Sequence, residues 1–323
     1  MAQVSILMPT HERPSLISGA IRSALTQSFE DFVLLIGDNS ENDETEEVVA
    51  GFDDPRIRYH RNRPGLGPMG NWLDLVDRAD TPFIATLHDD DTWHPEFLAR
   101  TVAAMTEDET VAMVYTDFWL TDADGVRRLD LTESESKRTR RATTAPGRIA
   151  YSRAEGIRLV AVDNAPQPAY AATVRTSAAK AVTYPEDIDP LYDVWLTYAL
   201  VMAGHPFHYL SDRLTNYRVH DASETAVSPR FAAAEDAFFS RVVADNGDLP
   251  YAVADVNQYW AWLRWARATK LMEDPAGRER SQQELAIAGP HLASPTRRLI
   301  AQAAATSSVA WHGLRLAIKA RQR

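Results

Sequence analysis

The sequence contains no cysteine, which excludes disulfide bonds, thiolate zinc sites and cysteine nucleophiles. It also lacks an apolar run of about 18 residues, so we predict no membrane-spanning helix. Residues 1–9 have neither the basic start nor the long apolar stretch of a signal peptide. These absences favour a cytoplasmic enzyme and leave peripheral membrane association open.

Positive charge is also scarce. The chain has 34 Lys and Arg residues against 45 Asp and Glu, and its net charge of −11 argues against a general nucleic-acid-binding protein. Apolar residues make up 45% and charged residues 24%, as in an ordinary globular protein. A length of 323 residues allows one large domain or two modest ones.

The first 120 residues alternate between short apolar runs and helical periodicity. The runs suit buried strands at residues 4–9, 32–36, 57–60, 83–87 and 111–115. Helices are predicted after Pro14 and Asp43, and at residues 71–79 and 95–105, with a Gly/Pro-rich loop at residues 62–70. This alternation predicts an α/β fold: a Rossmann-like, mostly parallel sheet with helices on both faces.

Polar residues follow three of these strands. They are residues 10–13, residues 38–40 and the triplet Asp89, Asp90 and Asp91. In parallel sheets the carboxyl ends of strands lie along one edge, where ligands bind. Three adjacent carboxylates favour a hard divalent cation such as Mg²⁺ or Mn²⁺. A solvated acidic turn that caps the next helix is the alternative.

Glycine is missing after the first strand. No Gly-x-Gly-x-x-Gly follows it, which argues against a dinucleotide-dependent oxidoreductase. A metal-dependent nucleotidyltransferase usually carries a Gly-rich, basic loop at this position, and residues 10–13 contain no glycine. That second class of enzyme is disfavoured but stays open.

The order of these motifs resembles that of the family 2 glycosyltransferases, which have the GT-A fold. Met8-Pro9-Thr10-His11-Glu12-Arg13 is similar to the family's opening strand with Pro-Thr and a downstream Arg. Ile36-Gly37-Asp38-Asn39-Ser40 is loosely similar to its Val-Asp-Asp-Gly-Ser. The Gly-rich stretch from Asn62 to Asn71 and then Leu87-His88-Asp89-Asp90-Asp91 complete the likeness, which covers residues 3–222.

This resemblance implies a site for a nucleoside diphosphate sugar, typically a UDP-sugar. Asp38 would accept a hydrogen bond from the base, Asp89 would face the ribose, and Asp90 would bind the metal that bridges the diphosphate. Further donor contacts are expected from Pro9, Thr10, Glu12, Arg63 and Asn71. A solvated loop position for Arg63 and a helix N-cap for Asn71 are the alternatives.

Two positions depart from the family pattern. His88 stands where the first Asp of the motif is usual, and Tyr192 where a Glu is common. We therefore expect the metal at Asp90, assisted by Asp89 or Asp91, with His220 either completing the shell or contacting the diphosphate. His88 is either a further ligand or a residue that orients its neighbours. The departures also keep open a non-catalytic protein that binds a nucleotide sugar.

A second acidic cluster occupies residues 184–196, ahead of a predicted helix that stops at Gly204. In the resembled family the general base is an Asp at this helix start, about a dozen residues before a Gly. Asp193 matches that spacing, and Asp187 and Asp189 are the other candidates. An Asp that only caps the helix is the alternative.

The remaining segments carry weaker signals. Residues 121–150 are charged and turn-rich, which predicts a mobile loop or a surface insertion. Residues 226–323 are predicted to be helical, with tryptophans that either pack in a core or stack on sugars. Residues 299–323 form a basic, amphipathic segment that packs within the helical region, on a partner chain or against a membrane surface.

The sequence thus predicts three parts. Residues 1–122 would bind the nucleotide sugar, residues 123–225 would bind the acceptor, and residues 226–323 would form a C-terminal helical region. The expected activity is inverting, Mn²⁺- or Mg²⁺-dependent glycosyl transfer to a hydroxyl or amine of a carbohydrate, lipid-linked or small-metabolite acceptor. No nucleic-acid partner is expected, and a homo-oligomer through the C-terminal helices is left open.

Overall fold

The computed structural model describes residues 2–166, 171–219 and 229–321. The chain divides into two compact units, Met1–Phe238 and Phe239–Arg323. The first unit contains the sheet, and the described elements of the second are helical. The three-part division drawn from the sequence stays a prediction.

Nine described strands form one sheet. They are β1 (Val4–Thr10), β2 (Phe32–Asp38), β3 (Ile57–Arg61), β4 (Phe83–Thr86), β5 (Thr92–Trp93), β6 (Met113–Thr121), β7 (Gly147–Ile149), β8 (Ala172–Arg175) and β9 (Phe207–Arg218). Their order is β3-β2-β1-β4-β8-β6-β9-β5, and β7 pairs with β9. Strands β1 to β4 run parallel, whereas β8 enters antiparallel between β4 and β6. The parallel half confirms the alternation read from the sequence.

The described helices flank this sheet and continue into the second unit. They are α1 (Pro14–Leu25), α2 (Glu44–Ala50), α3 (Gly67–Arg78), α4 (Phe97–Glu107), α5 (Leu129–Arg138), α6 (Arg153–Ala161), α7 (Thr176–Lys180), α8 (Tyr192–Met202), α9 (Pro229–Asp245), α10 (Pro250–Leu271), α11 (Arg278–Ala288), α12 (Pro295–Thr306) and α13 (Ser308–Arg321). Short 3₁₀ turns lie at Arg141–Thr143, Glu186–Ile188, Pro275–Gly277 and Gly289–His291.

Both faces of the parallel half are covered, because consecutive side chains of a strand point to opposite faces. Val4, Ile6 and Met8 of β1 are fully buried in a core shared with α1 and α4. Helix α3 packs on β1 and β2 from the face to which Gly37 points. This arrangement leaves the carboxyl ends of β1, β2 and β4 free to carry polar residues.

Helix α3 begins at Gly67, inside the stretch predicted as a loop, rather than at Asn71. The Met69 N–H in its first turn donates to Asp189 Oδ1 at 3.0 Å. Gly67 has a φ of 75°, a left-handed conformation that glycine adopts without steric cost. The prediction was wrong here because the capping group comes from a distant part of the chain.

Residues 121–150 contain α5 and β7, so the prediction of a loop was wrong, whereas the alternative of a surface insertion stays a prediction. Helix α5 has a polar sequence because its two buried residues are Thr132 and Ser136. The Thr132 hydroxyl accepts the Leu120 N–H at 3.0 Å, which joins α5 to β6. Arg141, buried after α5, forms an ion pair with Asp117 of β6 at 3.0 Å. The helix was missed in the sequence because its buried positions are polar rather than apolar.

The second unit has its own core around Trp311. Trp311 Nε1 donates to the buried Ser281 hydroxyl at 3.0 Å. Trp265 packs against this core, whereas Trp262 is 43% exposed. The basic C-terminal segment lies in two helices, α12 and α13, with α12 ending before Ser307. Among the described residues, no helix combines the length and apolarity needed to cross a bilayer.

Candidate active site

The carboxyl ends of β1, β2 and β4 meet at one edge of the sheet. Thr10 lies opposite Asp38 in the register of β1 and β2. The Thr10 hydroxyl donates to Asp89 Oδ2 at 2.7 Å, which joins the end of β1 to the Asp triplet after β4. The three polar segments predicted from separate strands therefore lie side by side.

Asp38 is fully buried and held in a fixed orientation. Its Oδ1 accepts the Ser40 N–H at 2.7 Å, and its Oδ2 accepts the Tyr59 hydroxyl at 2.7 Å. Burial and the hydrogen bond to Asp38 raise the pKa of Tyr59 well above its ordinary value, so the phenol remains a donor. Each carboxylate oxygen retains a second lone pair, with which Asp38 can accept from a ligand.

Three buried asparagines hold this edge together. Asn62 Nδ2 donates to Oδ1 of both Asn39 and Asn71, each at 3.0 Å. The Asn71 amide donates to the Gly37 carbonyl at 2.8 Å, and a Cβ on Gly37 would stand 2.3 Å from Asn71 Oδ1. The glycine before Asp38 thus makes room for Asn71. Asn71 is not a helix N-cap, because α3 begins four residues earlier.

The other predicted donor contacts lie at the rim of this edge. Pro9 is half-buried, and Glu12 is exposed with its N–H donating to the Ser40 hydroxyl at 2.8 Å. Arg63 is exposed, pairs with Asp43 at 3.2 Å and lines an open cavity of about 560 Å³. That Pro9, Glu12 and Arg63 contact a donor stays a prediction.

The three carboxylates of the triplet have different surroundings. Arg13 Nη1 contacts Asp89 Oδ1 at 3.0 Å and Asp90 Oδ2 at 2.7 Å. Asp91 Oδ1 accepts the Arg218 N–H at 2.9 Å, and Arg218 Nε donates to the Asp90 carbonyl at 2.9 Å. The buried Asp91 Oδ2 has no hydrogen-bond partner among the described residues. Two arginines thus hold the triplet while leaving one carboxylate oxygen unsatisfied.

His88, Asp90 and Asp91 offer ligand atoms that all lie within 4.8 Å of one another. A cation there would satisfy the unpartnered Asp91 oxygen, and carboxylate with imidazole is a donor set that Mn²⁺ accepts. The residues therefore fit the expected divalent metal. Asp90 and Asp91 are the predicted ligands and His88 joins them, whereas His220 lies outside the described residues.

Burial dominates the protonation of these groups. It raises the pKa of Asp89 and, more strongly, that of Asp91, and the neighbouring Asp90 charge acts in the same direction. Burial also lowers the pKa of His88. The imidazole is therefore neutral near pH 7, which is the form that binds metals.

The two departures from the family pattern contact each other. His88 Nε2 lies 2.9 Å from the Tyr192 hydroxyl. The Tyr192 ring stacks on Trp72 with 4.9 Å between centroids, and Trp72 Nε1 donates to the Thr86 hydroxyl at 2.9 Å. Tyr192 is thereby fixed between α3 and the end of β4. This contact brings the start of α8 to the Asp triplet.

Asp193 follows Tyr192 in the first turn of α8 and is partly buried. Burial raises the pKa of its carboxyl to about 6, although nearby backbone N–H groups oppose the shift. Its negative charge adds to the effect of burial in raising the pKa of Tyr184 and of Tyr192. Of the other candidates, Asp189 caps α3 and Asp187 is exposed.

Residues 5–159 match the family model described as glycosyl transferase family 2. These residues belong to glycosyltransferase family 2. The matched segment contains β1 to β4 and the whole Asp triplet, whereas Asp193 lies beyond it. The family assignment therefore covers the sheet edge and leaves α8 to be argued from geometry.

Curated relatives align with a short part of the chain. A GalNAc(5)-diNAcBac-PP-undecaprenol beta-1,3-glucosyltransferase of Campylobacter jejuni is 36% identical over 94 residues, which cover 28% of this chain and 30% of the relative. The Escherichia coli UDP-Glc:alpha-D-GlcNAc-diphosphoundecaprenol beta-1,3-glucosyltransferase WfgD is 33% identical over 102 residues, covering 32% and 40%. The chain thus spans less than half the length of these relatives.

Solved structures resemble almost the whole chain. Staphylococcus aureus TarS 1-349 superposes with a TM-score of 0.66 at 14% identity, covering 94% of this chain and 88% of TarS. The mannosyltransferase PcManGT from Pyrobaculum calidifontis superposes with a TM-score of 0.57 at 15% identity, covering 98% of this chain and 85% of PcManGT. At such low identity the likeness establishes the fold, which is GT-A.

Several residues of the site carry no recognisable sequence signal. Arg13 belongs to the opening motif, but nothing in the sequence shows that it bridges Asp89 and Asp90. Tyr59 and Trp72 read as ordinary strand and helix residues. Tyr184 has a buried hydroxyl with no hydrogen-bond partner in the described part of the chain. Their roles depend on contacts between distant segments.

Proposed function

We propose that this protein is an inverting glycosyltransferase that moves a sugar from a nucleoside diphosphate sugar to an acceptor hydroxyl or amine. The observation that carries the proposal is the 2.9 Å contact between His88 and Tyr192. It joins the strand-end carboxylates to the start of α8, where Asp193 lies. A donor site and a candidate base thus occupy one region of the first unit.

The donor is proposed to bind along the strand ends, with its base at Asp38. The fixed orientation of Asp38 and the neighbouring Thr10 and Asp89 support this choice. TarS has been crystallised with UDP and with UDP-GlcNAc, which supports a UDP-sugar. The PcManGT complex holds GDP-Man, so guanosine donors belong in the same screen.

A divalent cation is proposed at Asp90 and Asp91, with His88 as a third protein ligand. When bound, it would offset the negative charge that develops on the leaving diphosphate. The Mn²⁺ in the PcManGT complex supports Mn²⁺ as the first ion to test. Arg13 holds the Asp89 and Asp90 side chains in position.

Asp193 is proposed as the general base. A pKa of about 6 leaves the carboxylate ionised at neutral pH and more basic than an ordinary Asp. It would take the acceptor proton while the acceptor oxygen or nitrogen attacks the anomeric carbon opposite the departing diphosphate. This displacement inverts the anomeric centre and needs no covalent enzyme intermediate.

The acceptor class is inferred from the relatives. The names of the two glucosyltransferases above specify acceptors linked through a diphosphate to undecaprenol. We therefore propose a saccharide on a lipid diphosphate as the first acceptor to test.

The decisive experiment pairs Asp193→Asn with Asp187→Asn as the matched control. Donors are first screened by thermal shift with Mn²⁺, since a ligand that binds the native state raises its stability. With the selected donor, Asp193→Asn is expected to lower transfer by about 10² to 10⁴, the range for a general base, with donor affinity unchanged. Asp187→Asn, which changes an exposed residue nearby, is expected to leave the transfer rate and the donor affinity unchanged.

Three results would contradict the proposal. Transfer by Asp193→Asn at the parent rate would remove Asp193 as the base. A donor that binds but is neither transferred nor hydrolysed with Mn²⁺ present would favour a non-catalytic nucleotide-sugar-binding protein. Release of pyrophosphate from a nucleoside triphosphate would point instead to nucleotidyl transfer.

A further inference from the structure

Charge is distributed unevenly along the chain. The whole sequence has a net charge of −11, yet residues 285–323 contain six Lys or Arg and no Asp or Glu. This cationic stretch includes α12 and α13 of the second unit. Such a local excess attracts anionic surfaces even when the whole protein is acidic.

Helix α13 is apolar on two sides. Trp311, Leu314 and Ile318 pack into the core of the second unit. Val309 and Leu316 are instead 80% and 65% exposed. Because these two residues are seven positions apart, they lie on the same side of the helix. One apolar side of α13 is thus occupied within the unit, and the other faces solvent.

Helix α12 also exposes an apolar side chain. Leu299 is 69% exposed, and Arg297 and Arg298 beside it are also exposed. Exposed leucine next to arginine is the composition of helices that lie in the boundary between lipid headgroups and acyl chains. We call Leu299, Val309 and Leu316, with the flanking Arg297 and Arg298, the α12–α13 surface.

The exposed apolar side chains of the α12–α13 surface could be covered either by a second copy of the chain or by a lipid bilayer. In a two-fold symmetric dimer the same patch meets itself, so the cationic helices would be brought together, and neither α12 nor α13 contains an acidic residue to compensate. An anionic bilayer supplies both an apolar phase for the exposed side chains and negative headgroups for the arginines. Charge complementarity therefore favours the bilayer.

We propose that the α12–α13 surface binds the interface of an anionic lipid bilayer. The apolar side chains enter the boundary below the headgroups while the arginines contact lipid phosphates. This binding is separate from the donor site and is expected to leave donor affinity unchanged.

The test is flotation of the full chain with vesicles of phosphatidylcholine, alone or enriched in phosphatidylglycerol. The parent protein is expected to float with the anionic vesicles and to be released by high salt. Val309→Ser/Leu316→Ser is expected to lower vesicle binding about tenfold or more, because the surface loses two apolar side chains. Ile287→Ser, which changes a 49% exposed residue of α11, is the matched control and is expected to bind as the parent does.

Flotation of the Val309/Leu316 variant at the parent level would overturn the proposal, as would equal binding to neutral vesicles. Light scattering on the same proteins tests whether the surface instead binds a second copy of the chain. A dimer of the parent that the variant abolishes, without vesicle binding by either, would identify the surface as a contact between copies. A thermal-shift midpoint equal to the parent's ensures that lost binding is not lost folding.

Discussion

His88 and Tyr192 each stand where the resembled family usually has an acid, and they contact each other. A neutral hydrogen-bonded pair next to Asp89 and Asp90 adds no further negative charge to a buried region. Burial raises the pKa of Tyr192 well above its ordinary value, and of the neighbouring charges Asp193 adds most to this effect. The effect on transfer of substituting His88 is therefore expected to depend on whether Tyr192 is intact, and the reverse.

Tyr192→Phe removes the hydroxyl but keeps the ring that stacks on Trp72. We expect transfer to fall about three- to tenfold, the effect of one lost hydrogen bond, with donor affinity by calorimetry unchanged. In a double-mutant cycle with His88→Asn, the second change should cost less than it does alone. Strictly additive losses would show that the two side chains act independently.

The proposed role of Asp193 as general base predicts a pH dependence of glycosyl transfer. With a pKa of about 6, the carboxylate should be ionised and transfer should plateau above pH 7, falling at lower pH with an apparent pKa near 6. The check is the pH profile of kcat/KM under saturating Mn²⁺. A profile that stays flat down to pH 5 would exclude Asp193 as the titrating base.

The same shift has a consequence for stability. The native pKa of Asp193 lies above its ordinary 3.8, so the folded state binds this proton more tightly than the unfolded chain does. The stabilisation of the folded state by this bound proton is present at low pH and is lost as pH rises from about 4 to about 6. Asp193→Asn is therefore expected to raise the free energy of unfolding at pH 7.5, by at most about 3 kcal/mol. Urea unfolding of Asp193→Asn, with Asp187→Asn as the control, measures this free energy. A lower free energy of unfolding for Asp193→Asn than for the parent would contradict the prediction.

At the scale of elements, long-range capping decides where helices begin. Helix α3 has no side-chain cap from its own N-terminal residue, and Asp189 supplies an acceptor to Met69 from a turn just before α8. This contact also places the loop before α3 against the segment that carries the candidate base. The start of α3 and the position of α8 are thus coupled.

Asp189→Ala is expected to lower the free energy of unfolding by about 1 kcal/mol, the usual effect of a lost helix cap. The measurement is the urea midpoint at constant slope. Asp187→Ala, at an exposed position in the same turn, should lower the midpoint less than Asp189→Ala does. Equal midpoints for both variants would show that the contact does not stabilise α3.

At the scale of the whole molecule, the two units have separate cores. The residues of the proposed donor site lie in Met1–Phe238, whereas the Trp311 core lies in Phe239–Arg323. A large core substitution in one unit should therefore spare ligand binding in the other. The charge of the chain follows the same division, with its cationic end in the second unit.

Trp311→Ala is expected to cost about 3–5 kcal/mol of stability, because it empties a fully packed site and leaves the buried Ser281 hydroxyl without that donor. Donor affinity measured below the unfolding transition should equal that of the parent. Trp262→Ala, at a half-exposed position of the same unit, is the control and should cost much less. A large loss of donor affinity would reveal coupling between the units.

Local patterns were sufficient for the parallel half of the sheet and its carboxylate edge. Apolar runs ending in polar residues mark buried strands, and parallel strands place their ends together, so residues 10–13, 38–40 and 89–91 could be grouped. The prediction failed at residues 121–150 because α5 buries Thr132 and Ser136, and periodicity counts only apolar residues. It also placed the start of α3 too late, because the cap belongs to Asp189.

Strand order, the fit of a metal and the surroundings of the candidate base depend on contacts between distant residues. The pairing of His88 with Tyr192, the bridge from Arg13 to Asp89 and Asp90, and the unpartnered Asp91 oxygen each join segments that no local pattern connects. The Asp triplet was visible as a charge cluster in the sequence. Its division into paired and unsatisfied oxygens arises only when the folded chain surrounds it, because burial and partners set the energy of each charge.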